Sequence, residues 1–116
     1  MQVTLMKSKL HKAKVTETLI DYEGSIAIDQ NLMEAAGIFP NEQVHIFDIN
    51  NGLRFITYAI IGTRGSKTIA VNGAAARLVH INDRIIIVAY GIMGYDEASG
   101  FQPKVILLDS DNNFAG

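Results

Sequence analysis

The chain has 116 residues, of which 48% are hydrophobic and 19% charged, and its formal net charge at pH 7 is −2. This length and composition predict a single folded domain and exclude a disordered chain. The lack of cysteine excludes disulfide frameworks and thiolate metal sites, the weak negative charge argues against a nucleic-acid partner, and no apolar run is long enough to cross a membrane.

The first predicted element is a strand over residues 9–16. Side chains alternate between the two faces of a strand, so every second residue shares a face. The residues expected on one partly polar face are Lys9, His11, Ala13 and Val15. The dipeptide Gly24-Ser25 follows, which alone is an ordinary turn signal.

A helix and a hairpin are predicted next. Residues 30–36 form a helical pattern that Asp29 can cap. The runs 44–49 and 53–61 are rich in β-branched and aromatic residues and flank Asn50-Asn51-Gly52. Asn-Gly between such runs predicts a tight hairpin, because both residues tolerate a positive φ.

The remainder of the chain predicts more short strands. These are residues 68–71, 84–90 and 104–109, with a helical turn over 73–78. The polar tail, residues 110–116, is expected to fray. Many short strands with few helices favour a β-barrel or a β-sandwich.

Four separated motifs carry a resemblance to a known family. They are Lys9-Leu10-His11, Tyr22-Glu23-Gly24-Ser25, Arg54-Phe55-Ile56-Thr57-Tyr58 and Val71-Asn72-Gly73-Ala74-Ala75-Ala76. In this order and spacing they resemble the pyruvoyl-dependent aspartate 1-decarboxylases, from about Met6 to Asp111. The resemblance implies a mainly β fold, a double-psi β-barrel with short helices, in one domain over residues 1–116. It also implies a homotetramer with sites between subunits.

The resemblance further implies that the chain cleaves itself between Gly24 and Ser25, giving a short chain 1–24 and a long chain 25–116. Gly24 would accept the strained backbone angles of such a site, and Thr57 would donate a hydrogen bond to the Gly24 carbonyl. Residue 25 would become a covalent pyruvoyl group that forms a Schiff base with the substrate amine. This group replaces pyridoxal phosphate as the electron sink.

The family pattern also implies roles for the other motif residues. Arg54 would hold a substrate carboxylate with its planar guanidinium, and Tyr58 would be the proton donor. Further substrate-binding residues would be Lys9, His11, Tyr22, Asn72, Gly73, Ala74 and Ala75, with Lys9 and His11 adding positive charge. No metal is expected, since the remaining histidines lack partners at ligand spacing.

One geometric difficulty follows from strand alternation. Arg54 and Tyr58 share one face of their strand, and Thr57 points to the other. A bulge, a strand twist or a neighbouring subunit would be needed to bring all three to one site. Ile56, between them, also departs from the small polar residue of many relatives.

The function implied is conversion of L-aspartate to β-alanine and CO2 in the cytoplasm, for pantothenate and coenzyme A biosynthesis. Two alternatives stay open at the level of sequence. The chain could be an unprocessed zymogen that needs an accessory maturation protein. It could instead be a non-catalytic β-barrel interaction module of the same fold.

Overall fold

A computed structural model describes residues 1–116 as eight strands with two short α-helices and one 3-10 helix. The strands are β1 (Gln2–Lys14), β2 (Glu17–Leu19), β3 (Ser25–Asp29), β4 (Gln43–Asp48), β5 (Arg54–Gly62), β6 (Ile69–Asn72), β7 (Arg84–Gly94) and β8 (Lys104–Leu107). The helices are α1 (Gln30–Ala36), the 3-10 helix (Gly73–Arg77) and α2 (Tyr95–Ala98). The mainly β fold with short helices is confirmed. Neither α-helix has the length needed to cross a bilayer.

The strands close into a barrel because β1 and β2 are consecutive in the chain but lie towards opposite ends of the strand order in the sheet. That order is β2-β6-β3-β5-β4-β7-β1-β8. Only Val15 and Thr16 separate β1 from β2. The Val15 N–H donates to the Asp83 carbonyl at 2.9 Å, and the Thr16 N–H donates to the Ile69 carbonyl at 2.8 Å. At Val15 and Thr16 the chain therefore crosses from the start of β7 to β6, and this crossing joins the two ends of the sheet.

The ring mixes parallel and antiparallel pairs. β2 with β6 and β3 with β5 are parallel, and the other four neighbouring pairs of the ring are antiparallel. β8 lies outside this ring, parallel to β1. This closed, mixed arrangement agrees with the double-psi β-barrel expected for the chain.

One hydrophobic core fills the barrel. Its members come from alternate positions of neighbouring strands and include Ile26, Ile28, Val44, Ile46 and Ile87, all 0% exposed. Because alternate residues point inward, the intervening residues of the same strands form the outer face. That outer face carries most of the candidate site residues.

Strand β1 is longer than predicted, and a bulge near its end changes which face of the strand the following side chains occupy. The register of β1 against β7 shifts between His11 and Ala13, and Lys12 at this point has a φ of 67°. Lys9 and His11 share the half-buried outer face, as predicted. Ala13 and Val15 were placed with them, and this was wrong, because both are 0% exposed in the core. A bulge inserts an extra residue, so alternation is lost beyond it.

The turn between β4 and β5 forms where it was predicted, with different backbone geometry. Gly52 has a positive φ of 77°, whereas Asn51 does not. Asp48 accepts hydrogen bonds from the backbone of Asn50 at 2.8 Å and of Asn51 at 3.2 Å, and Asn51 Oδ1 accepts one from Leu53 N at 2.8 Å. Side-chain hydrogen bonds thus stabilise a wider turn than the two-residue hairpin loop.

The tail was expected to fray, and this was wrong. Asn112 is 0% exposed. Its Nδ2 donates to the carbonyls of Lys14 at 2.9 Å and Lys67 at 3.0 Å, and its Oδ1 accepts from Lys14 N at 2.6 Å. The polar side chain of Asn112, one of the residues that suggested disorder, holds the tail in place through these long-range hydrogen bonds.

Candidate active site

Ser25 begins β3, a strand that the sequence analysis did not predict. It pairs with Asn72 across the antiparallel β3–β6 ladder. Ser25 is 1% exposed and Asn72 is 2% exposed, although both belong to the outer face of the barrel. The preceding segment and the start of the 3-10 helix cover them. The Gly24-Ser25 bond therefore lies at the entry of an ordered strand and not in a free turn.

Two hydrogen bonds hold the Ser25 hydroxyl. Asn72 Nδ2 donates to Ser25 Oγ at 3.1 Å, and Ser25 Oγ donates to the Glu23 carbonyl at 3.4 Å. Neither hydrogen-bond partner is a base that could remove the hydroxyl proton. A weak nucleophile of this kind depends on stabilisation of the oxyanion that forms when it attacks. Asn72 Oδ1 is buried without a partner and is a spare hydrogen-bond acceptor beside Ser25.

The close backbone approach in this site occurs at Gly73. Its φ is 74°, and a Cβ there would lie 2.6 Å from Gly24 Cα and 2.8 Å from Gly24 N. A Cβ on Gly24 itself would meet nothing within 4 Å, and Gly24 is absent from the glycines of positive φ. Gly24 itself does not adopt a left-handed φ. The residue with a left-handed φ is instead Gly73, which faces Gly24.

β5 brings Tyr58 level with Ser25 on the neighbouring strand. Ile26 pairs with Ala59 in the parallel β3–β5 ladder, so Tyr58, one residue earlier, is level with Ser25. Tyr58 and Arg54 lie on the exposed face of β5, and Thr57 points to the half-buried face opposite Val44. The β4–β5 register is unbroken along this stretch, so no bulge reorients Thr57. The side-chain hydrogen bonds at Ser25 involve Asn72 and Glu23, and not Thr57.

Arg54 has an aromatic partner that the sequence analysis missed. Its guanidinium carbon lies 4.7 Å from the centroid of the Phe47 ring, and the two residues are paired across β4 and β5. A cation over an aromatic face is attracted by the ring quadrupole. The symmetric position of Phe47 and Arg54 about the predicted turn was the signal available in the sequence.

Lys9 and His11 share the outer face of β1, a strand that does not pair with the β3 strand of Ser25. Their strand, β1, is separated from β5 by β4 and β7. At the usual strand spacing this is about 14 Å of barrel surface.

The pKa of His11 is lowered by its surroundings. Burial lowers its pKa from the ordinary value of 6.5, and the nearby charges of Lys9, Lys12 and Arg84 lower the pKa further. Its Nδ1 is buried without a hydrogen-bond partner.

The remaining motif residues lie in the segment before Ser25 and in the 3-10 helix. Tyr22 is 56% exposed and, with residues 18–21, borders a surface cavity of about 370 Å³. Ala74 is exposed and Ala75 is half-buried in the 3-10 helix that starts at Gly73. No group of three or more His, Asp or Glu side chains is arranged to hold a metal ion.

Comparisons with known proteins agree on one family. The model described as "Aspartate decarboxylase" matches residues 1–115. The chain is 57% identical to the aspartate 1-decarboxylase of Phenylobacterium zucineum, covering 97% of this chain and 95% of that protein. It is 59% identical to the protein of the same name from Acetivibrio thermocellus, covering 97% and 89%. A rationally designed protein, mkDPBB_sym_86, superposes on 68% of this chain with a TM-score of 0.49 and 10% identity.

Proposed function

The chain belongs to the aspartate decarboxylase family, and we propose that it removes CO2 from L-aspartate with a pyruvoyl group made from its own Ser25. The observation that carries this proposal is the Ser25 hydroxyl, buried and held by Asn72 directly after the Gly24 carbonyl. The product is β-alanine, which supplies pantothenate and coenzyme A biosynthesis in the cytoplasm.

Maturation begins with attack of Ser25 Oγ on the Gly24 carbonyl carbon. The C–N bond breaks, an ester links Gly24 to the Ser25 side chain, and the amine of residue 25 is freed. Elimination then removes the Ser25 α-proton and breaks the Cβ–O bond, which leaves Gly24 as a carboxylate and residue 25 as dehydroalanine. Addition of one water and loss of one ammonia convert that residue to the pyruvoyl group.

The residues around position 25 fit such a group. The unpartnered Asn72 Oδ1 offers an acceptor next to the position where the Ser25 amine is freed and ammonia leaves. The Nδ2 of the same side chain remains a donor toward an oxygen at residue 25. When present, the pyruvoyl ketone condenses with an amine and accepts the electron pair released with CO2.

The outer face of β5 supplies binding and proton donation. Arg54 binds a substrate carboxylate, with its guanidinium already oriented by Phe47. Tyr58, level with Ser25, donates the proton that replaces CO2 on the substrate carbon. Thr57 polarises the Gly24 carbonyl during maturation, although its place on the inner face requires movement or a second subunit.

We extend the proposal to a homotetramer in which neighbouring subunits complete each site. Lys9 and His11 lie on β1, which pairs with β7 and β8 and not with the strand that carries Ser25. Large apolar side chains are exposed on the outer face of the barrel, with Ile56 at 59% and Ile92 at 69%. Contact between subunits would cover these side chains and bring Lys9 of one chain to Ser25 of another.

The experiment that tests this function is a denatured mass spectrum combined with an aspartate assay. We expect two chains divided after Gly24, the larger of them lighter by one ammonia than a serine-started chain, together with β-alanine production. The Ser25→Ala variant should remain one chain and form no β-alanine. Decarboxylation by that variant would rule out the pyruvoyl mechanism.

Other mass spectra point to the alternatives. A serine-started large chain would mean hydrolysis without formation of the pyruvoyl group. A single species near 12.7 kDa would favour an unprocessed zymogen. An accessory maturation protein would then be sought, and a non-catalytic barrel would follow if no added factor induced cleavage.

A further inference from the structure

The residues just before Ser25, 22–24, form the proposed cleavage segment, and their main chain lies directly against Gly73. A Cβ built on Gly73 would be 2.6 Å from Gly24 Cα, 2.8 Å from Gly24 N and 3.1 Å from the Tyr22 carbonyl oxygen. Separations under 3.0 Å are not found for real Cβ atoms, so one of the two segments would have to move. The atoms that would be struck are backbone atoms, which cannot yield by changing a rotamer.

Gly73 also joins the two parts of the site. Asn72, which precedes it, holds the Ser25 hydroxyl and pairs with Ser25 across the ladder. The 3-10 helix starts at Gly73 with a φ of 74°, so the chain turns sharply just after Asn72. This turn lets the segment before Ser25 pass over β6 at backbone distance.

From these contacts we infer that Gly73 is a positioning residue for self-cleavage, and that it holds the Gly24 carbonyl in reach of the Ser25 hydroxyl. This inference rests on the self-cleavage proposed above. Gly73 takes no part in the bond changes. Its missing side chain permits the close packing that orients the scissile bond, and misplacement of reacting groups by about 1 Å can cost on the order of 10²-fold in rate.

The test compares Gly73→Ala with Gly65→Ala. Gly65 has a similar φ of 81°, but a Cβ there would meet nothing within 4 Å. Both variants therefore carry the strain of an alanine at positive φ, and only Gly73→Ala carries the clash with the cleavage segment. The difference between them isolates the packing against Gly24.

The first readout is the half-time of cleavage, followed by mass spectrometry of the fresh protein. We expect Gly73→Ala to cleave on the order of 10²-fold more slowly than Gly65→Ala, with Gly65→Ala close to the unmodified chain. Equal rates in the two variants would overturn the inference. A wild-type chain that stays intact would count against the proposed function, and the second readout would still decide the role of Gly73.

The second readout is amide hydrogen exchange in a Ser25→Ala background, where no cleavage occurs. We expect Gly73→Ala to increase exchange in residues 20–26 and to leave strands β4 and β7 unchanged, and Gly65→Ala to leave residues 20–26 unchanged. Unaltered exchange in residues 20–26 would overturn the inference. Loss of the whole barrel in Gly73→Ala but not in Gly65→Ala would also overturn it, because the effect would then be global.

Discussion

Single buried polar side chains carry much of the specificity of this molecule. Ser25, Asn72, Asp29, Asp48 and Asn112 are each at most 2% exposed in a barrel whose core is otherwise aliphatic. A buried polar group is costly unless it is hydrogen-bonded. Asn72 keeps an unpartnered atom, Oδ1, and the maturation proposed at residue 25 gives that atom a role.

The roles proposed for Tyr58 and Ser25 can be separated by one substitution. In Tyr58→Phe the ring keeps its packing and loses its hydroxyl. We expect normal cleavage after Gly24 and a decarboxylation rate lower by on the order of 10²–10⁴-fold, the usual range for a general acid. Cleavage is followed by mass spectrometry and turnover by β-alanine release. Full turnover in the variant would show that another group donates the proton.

Asp48 illustrates a buried carboxyl that is unfavourable at neutral pH. Burial raises its pKa above the ordinary value of 3.8, and the neighbouring carboxyl of Asp83 raises the pKa further. Backbone N–H groups of Asn50 and Asn51 oppose this and do not cancel it. An acid whose pKa is raised by folding binds more protons in the folded state, so its contribution to stability falls as pH rises through the folded pKa.

We therefore expect Asp48→Asn to be more stable than the unmodified chain at pH 8, by about 1 kcal/mol. Asparagine retains the oxygen that accepts from Asn50 and Asn51, and its amide can donate to Asp83. The gain should shrink as the pH approaches 3.8, where the wild-type carboxyl is protonated. Urea midpoints at several pH values measure this. A loss of stability at pH 8 would contradict it.

At the scale of elements, a single side chain can connect a helix to a loop that is distant in the sequence. Helix α1 begins at Asp29, whose Oδ1 accepts from Asn31 N at 2.9 Å, which is an ordinary N-cap. The same carboxylate also accepts from Gly65 N at 3.0 Å and Lys67 N at 2.8 Å. One capping residue thus stabilises both the helix and the loop between β5 and β6.

Asp29→Asn tests this double role. Burial of the Asp29 carboxyl raises its pKa, but hydrogen bonds from Gly65, Lys67 and Asn31 outweigh burial and bring the pKa below its ordinary value of 3.8. Asparagine still caps the helix but turns an amide toward Lys67 N. We expect a loss of about 1–3 kcal/mol at pH 7 by urea unfolding.

The pH dependence of that loss gives a second check. A carboxyl with a depressed folded pKa stabilises the protein above its unfolded pKa, and this contribution is lost as the pH falls through the folded pKa. The difference between wild type and Asp29→Asn should therefore be complete at neutral pH and diminish below pH 3.8. A difference that is constant between pH 7 and pH 2 would exclude the charged hydrogen bonds as its source.

At the scale of the whole molecule, closure of the barrel depends on a crossing point near Val15 and Thr16. Asn112, from the far end of the sequence, bonds both the N–H and the carbonyl of Lys14 just before this crossing, and also the carbonyl of Lys67. The tail therefore acts as a clamp between β1 and the loop before β6.

We expect Asn112→Ala to lower the free energy of unfolding by on the order of 2 kcal/mol, because buried backbone groups lose their partners. Ser110→Ala, at an exposed position of the same tail, serves as the control and should change stability by less than about 0.5 kcal/mol. Both are measured by urea unfolding. Equal stabilities for the two variants would mean that the tail does not clamp the barrel.

The sequence by itself determined features that depend on local chemistry or on motif spacing. Helix α1 with its cap, the position of the β4–β5 turn, the outward pairs Lys9–His11 and Arg54–Tyr58, and the family all follow from residues near one another in the chain. Local hydrogen bonds and side-chain alternation are properties of short segments, so a sequence pattern is sufficient to predict them.

Only the tertiary structure decided the features that need residues distant in sequence. The bulge at Lys12 moved Ala13 and Val15 into the core, and Asn112 ordered a tail that composition alone marked as loose. The close approach of Gly73 to Gly24 was likewise invisible, because it joins residues 49 positions apart that meet only when β3 pairs with β6. Such contacts depend on how the strands of the closed barrel pack. A local sequence pattern cannot predict them, because the two backbone segments come together only when the chain folds.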